Sequence, residues 1–312
     1  MSVRESSLRQ VGWIDLPEHA GSGGFDHAAV HGSRRLLYIA HTANDAIDVV
    51  DLKNDRYARA VSNLKGVAGA LVDEGKDLVF TSNRGEDTVS VFTPDRESEA
   101  FKVRVGSKPN GLAYDPARDL LLAANVGVSS DGSYTVSIVD VGKRSLLAEI
   151  PVPGRTRWVV FDPRQSVFFV NIADPAQIAV IESTTPGQNA RTITIPARGP
   201  HGLDLDADRN RLYCACDEGI VVSLDCRSGD VVGTLPITGS PDVVFLNRHL
   251  GRLYVAIGDP GVIDVIDVEA WRIVETIVTE PGAHTIAFDD ETSRVYAFLP
   301  ISHRAAVYQD ER

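Results

Sequence analysis

Two short stretches carry the residues best suited to chemistry. "GPHGLDLD" from Gly199 to Asp206 sets His201 between a proline and a glycine, and "GAHTIAFDD" repeats the local setting for His284, 83 residues later. His27 in "DHAAVHGSRRLLYIAH" and Asp242 in "DVVFLNRHLGRLYVAIGD" open stretches of the same form. Imidazole moves protons near neutral pH and binds zinc and other transition metals. Three imidazoles with one carboxylate would suit a divalent metal, with zinc, iron and manganese equally compatible. Residues so far apart in the chain act together only if the fold returns each of them to one place.

The elements that could do so are repeated. Seven segments share a small-residue or proline approach, one polar or small residue, a short apolar strand, a tight turn and a second apolar strand. Taking His27, Ala68, Asn110, Arg157, His201, Asp242 and His284 as equivalent, the spacings are 41, 42, 47, 44, 41 and 42 residues. That period matches one blade of a β-propeller. A third strand follows in each unit, as in "AIDVVDL", "TVSVF" and "VIDVIDV", and then a fourth, as in "KVRV" and "RIVETIV". Four short antiparallel strands make one blade. The seventh unit stops after its third strand, "RAAVYQD", and the N-terminal "RQVGWIDL" has the form of the missing fourth. Pairing the two ends closes the ring and removes exposed sheet edges. The expectation is an all-β, seven-bladed propeller occupying residues 1–312 as a single domain.

The repeat resembles the YncE-like, YVTN-repeat family of seven-bladed propellers, through "LYIAHTANDAIDVVDL", "LVFTSNRGEDTVSVF" and "LYVAIGDPGVIDVIDV". The resemblance covers essentially the whole chain and is specific for fold rather than chemistry. It implies that first strands line a central channel and that the seven equivalent residues ring one mouth of it. His201, Asp242, His284 and His27 would then form a continuous arc, with His27, His201, His284 and Asp242 as metal ligands. The loop after each second strand returns to the same face, which places His41 outside His27 and His303 near His284 as catalytic partners. Across the ring, Arg157, Asn110 and Trp158 would hold substrate, with the guanidinium of Arg157, also a catalytic candidate, gripping a carboxylate in two-pronged fashion.

This arrangement points to a metal-dependent enzyme acting on a small anionic or carbonyl-bearing substrate. Lactonase-like hydrolysis would use metal-bound water, and lyase-type elimination would use Asp242 or a histidine as base. The virginiamycin B lyase propellers offer a partial parallel in their "PHGI"-like strand starts, from which "SPDVV" departs here. The alternative is a non-catalytic propeller that binds a small ligand, a metal or a protein partner.

Composition narrows the field. The net charge is −12 without a Lys/Arg cluster, which argues against nucleic acid. No run reaches the ~20 apolar residues of a membrane-spanning helix, and the N-terminus lacks a signal-like apolar core, so a cytoplasmic protein is expected. Cys214, Cys216 and Cys226 read as buried thiols, and His19, His31 and His249 as exposed residues of a link and turns. "DLDADRN" from Asp204 opens like a calcium loop, but Arg209 and Ala215 stand where glycine and glutamate are needed, so it reads as a turn. Asp51, Asp140, Asp225 and Asp267 recur after third strands as turn caps.

Overall fold

Runs of four to eight β-branched, aromatic and small residues alternate along the chain with Asp-, Asn- and Gly-rich turns, a pattern that favours short antiparallel strands over helices. The computed structural model describes residues 8–128 and 133–311. Within them the chain forms seven four-stranded antiparallel sheets, and the only helices are two single 3-10 turns. This is the seven-bladed propeller that the repeat predicts. The sheet of the last blade is completed by Leu8–Asp15, which pairs antiparallel with Arg304–Asp310. First strands pack side by side around the ring, with that of blade seven, Ile286–Asp289, against that of blade one, Phe25–His31.

Burial follows position within a blade. Second and third strands such as Arg252–Ile257 and Val262–Asp267 are buried almost throughout, because both sheet faces meet neighbouring blades. Outer strands such as Arg56–Val61 alternate exposed and covered residues. The core is therefore divided among the blade interfaces. A left-handed residue stands just before the second strand in all seven blades: Arg35, Asp77, Asp119, Ser166, Asn210, Gly251 and Ser293. The turn is set by backbone geometry, with glycine in one blade only.

The expected turn caps are present: the carboxylates of Asp51, Asp140, Asp225 and Asp267 accept hydrogen bonds from backbone N–H groups two or three residues on. Asp206 does the same within the calcium-like stretch, accepting from Arg209 N. All three cysteines are buried free thiols. Among the described residues no helix is long and apolar enough to cross a membrane.

Candidate functional site

Strand register defines which residues share a level of the channel. Pro200 pairs with Cys216, Pro241 with Ile257, Pro109 with Asn125 and Thr156 with Ile172, which places His201, Asp242, Asn110 and Arg157 one step further on at equivalent positions. In blade one the pairing residue is Phe25, opposite His41, so the equivalent residue is Asp26. His27 is one step deeper, level with Trp158 and Gly202, which corrects its expected place in the ring. Gly111 and Gly202 occupy this deeper level because a Cβ there would lie 2.7 Å and 2.4 Å from the carbonyl oxygens of Arg157 and Asp242 in the adjoining blades. First strands thus approach backbone to side-chain position.

The outer ring is a chain of charges. His201 Nδ1 lies 2.7 Å from Asp217 Oδ1, and its Nε2 lies 2.8 Å from Asp242 Oδ1. Asp242 Oδ2 faces His284 Nε2 at 3.6 Å, and His284 Nδ1 donates to Gly282 O at 2.8 Å. Burial alone would lower the pKa of His201, but Asp242 and Asp217 outweigh it and hold the group at about 9. Burial likewise opposes ionisation of Asp242, yet His201, His284 and His27 keep it far below the usual carboxylate range. His201 is therefore an imidazolium at neutral pH, clamped by two carboxylates.

Arg157 Nη1 sits 3.2 Å from His201 Nε2, and Nη2 lies 3.7 Å from Asp217 Oδ2. With His201 protonated, the closer contact sets two donors and two cations against each other. Burial, and then the neighbouring Arg155, lower the pKa of Arg157, and its Nε is buried with no hydrogen-bond partner. The Asn110 Oδ1 beside it in the ring is also buried and unpartnered. On the far side Asp26 pairs with Arg84 Nη2 at 3.2 Å, a residue from the loop after the second strand of blade two, whose own ring position holds only Ala68.

His27 closes the floor. It is 6% exposed, stacks obliquely on Trp158 at 4.2 Å between ring centres and has Nε2 3.4 Å from Asp26 Oδ1. Burial lowers its pKa more than Asp26 and Asp242 raise it, so this imidazole is neutral. Trp158 therefore serves as a lid on the channel floor rather than as a wall of the ring.

Both nitrogens of His201 face carboxylates, its neighbour is a guanidinium, and no group of three or more His, Cys, Asp or Glu side chains among the described residues is disposed to hold an ion.

The second histidine pair goes elsewhere. His41 is fully buried inside blade one, with Nδ1 2.7 Å from Asp48 Oδ2 and Nε2 2.8 Å from His19 Nδ1. It occupies the register position of Asn83 and Asn125, whose amides bond Ser90 and Ser137 on the adjacent strand just as His41 bonds Asp48. His303 packs its ring on His19 at 4.4 Å. So His41 and His303 are not partners of His27 and His284 but belong to a seam where the N-terminal link crosses blades one and seven. His19, expected in solvent, is the centre of that seam: "GSGG" turns the link back, with Gly23 and Gly24 at φ of 115° and 63°. His31 is also buried, against Asp77 at 3.0 Å, at the other end of the strand.

Comparison with known proteins adds the fold and nothing finer. No protein-family model matches the chain, and no curated protein sequence does. Among solved structures it is similar to "Kuenenia stuttgartiensis Hydrazine Synthase", with a TM-score of 0.80, 14% identity and 99% of each chain covered. The shared feature is the propeller. At that identity the likeness carries no chemistry.

Proposed function

We propose that the chain is a YncE-like, YVTN-repeat propeller whose channel mouth binds a small carboxylate or carbonyl-bearing molecule and transforms it by acid–base catalysis. The observation that carries this reading is the contact between Arg157 and His201. Two cations 3.2 Å apart, one with a buried unpartnered N–H, are relieved by an anion that bridges them. Asn110 borders the same space.

Two imidazoles with opposite pKa displacements then supply the chemistry, since one fold runs acid and base steps by pushing like groups apart. His201, held charged by Asp217 and Asp242, becomes the proton donor once a substrate oxygen takes the place of a carboxylate at one of its N–H groups, and its charge stabilises negative charge that develops on a carbonyl oxygen. His27, kept neutral by burial, is the acceptor of a proton from carbon or from water. Elimination and lactone hydrolysis both fit this pair, differing in which proton His27 removes. Asp242 aligns His201 and His284 rather than reacting itself.

Calorimetric titration with a panel of three- to six-carbon hydroxycarboxylates and their lactones tests the reading, alongside turnover measured on the same panel. A bound carboxylate should weaken about tenfold to a hundredfold in Arg157→Gln and in His201→Gln, the span of one charge-assisted hydrogen bond. Turnover should rise as His27 loses its proton and fall as His201 loses its own near pH 9. Binding unchanged in both variants, or activity that appears only with a stoichiometric metal, would overturn it.

A further inference from the structure

A second space lies away from the mouth. Behind the His27–Trp158 floor the channel widens toward the opposite face into a cavity of about 510 Å³. That lies within the ~300–1,000 Å³ range of small-molecule sites. Residues two steps deeper than His27 along six of the seven first strands line it: Ala29, Leu71, Ala113, Val160, Asp204 and Phe245. Phe161, Phe288 and Tyr114 add aromatic surface, and Trp158 forms the inner end.

The polar content of this wall is one-sided. Asp204 and Asp73 border the cavity, and no lysine or arginine is among the residues lining it. Asp204 replaces the apolar residue that blades one to four and six place at this level. Its carboxylate accepts from Leu246 N and Leu205 N, both at 2.7 Å. Arg248 stands 3.9 Å away and spends its hydrogen bond on Leu205 O. Burial raises the pKa of Asp204 against these partners. Five aromatic rings around a space with acidic groups and no cation attract an organic ammonium through both ring faces and carboxylate. The overall charge of −12 favours the approach of a cation.

We propose that this inner cavity is a second ligand site, separate from the mouth, which takes an apolar or aromatic amine with its ammonium directed at Asp204. The apolar body packs against Trp158, Phe245 and Phe288. Carboxylates and phosphates are rejected, because nothing in the wall balances their charge. This assignment does not depend on the acid–base reading of the mouth.

The test compares three isosteres, 2-phenylethylamine, 2-phenylethanol and phenylacetate, by tryptophan fluorescence and calorimetry on the intact chain. Trp158→Phe identifies the part of the fluorescence signal that comes from the cavity. The amine should bind at least tenfold more tightly than the alcohol, with no binding of phenylacetate. Asp204→Asn should reduce amine affinity at least fivefold while leaving the alcohol unchanged. Ala29→Phe, which fills the cavity without touching a charge, should abolish binding of both and leave carboxylate binding at the mouth intact. Phenylacetate binding as well as the amine, or no binding by any of the three, would overturn the proposal. So would amine affinity unaffected by Ala29→Phe. The isostere ranking needs no variant, so a poorly folded Asp204→Asn leaves the test standing.

Discussion

Two histidine clusters stand on the same side of the ring, and they are built on opposite principles. At the mouth, His201 lies between Asp217 and Asp242, with cationic Arg157 crowding it. In the seam, His41 is bonded to Asp48 and passes its other nitrogen to His19, which packs on His303. The mouth gathers charge where water can reach it and leaves donors unpaired. The seam runs its polar groups in a line from Asp48 through His41 to His19, which fastens the link to blade one but leaves His19 Nε2 and His303 Nδ1 buried without partners. Residue type alone does not separate a reactive histidine from a structural one; the number of carboxylates beside it and its access to water do.

Substitutions should divide along that line. The largest effect on stability is expected from Asp48→Ala, which leaves a fully buried imidazole nitrogen unsatisfied and a small void. Urea denaturation should show a loss of about 3 kcal/mol, from an orphaned buried donor plus lost packing. A loss below about 1 kcal/mol would mean that the seam is not the fastening described here.

Next in size is a pH response of opposite sign in the two clusters. The pKa of His201 is raised from 6.5 to about 9, so its stabilisation is complete below pH 6.5 and is lost as pH climbs through 9. His19 is lowered by burial and by His41 and His303, so the unfolded chain binds its proton more readily and stability falls as pH drops below 6.5. Imidazole proton resonances followed from pH 5 to 10 should give midpoints on opposite sides of 6.5. Midpoints that coincide would erase the distinction.

Smaller still is the stability cost of His201→Gln, about 1–2 kcal/mol, because the amide can keep a hydrogen bond to one carboxylate while the largely buried Asp242 loses its nearest cation. The same variant should lose carboxylate affinity at the mouth, so function and stability come apart. Smallest is His19→Phe, which keeps the ring packing against Phe25 and His303 but leaves Nε2 of the buried His41 without its partner. Its stability should fall by about 1 kcal/mol.

How much of this the chain discloses before folding depends on distance from the repeat. Blade starts, ring closure and the neighbourhood of His201, Asp242 and His284 follow from a period of about 42 residues, because each strand pair is a local unit with its own turn. Blade one slips by a single residue: "FDHAAVH" is aligned on its histidine, whereas the pairing of Phe25 with His41 makes Asp26 the ring member. His19 is invisible to such alignment, because its position is decided by the Gly-rich link folding back on blade seven. Arg84 and the inner cavity are hidden for another reason. Leu71, Val160 and Phe245 look like ordinary alternating strand residues until the closed ring leaves a space between them.

The pairing of Leu8–Asp15 with Arg304–Asp310 has a temporal side as well. During synthesis Leu8–Asp15 must wait until the strands of six complete blades have been made before its neighbour exists. Locking of the wheel is thus a late event, and a chain stalled short of residue 304 would leave Leu8–Asp15 without its partner strand.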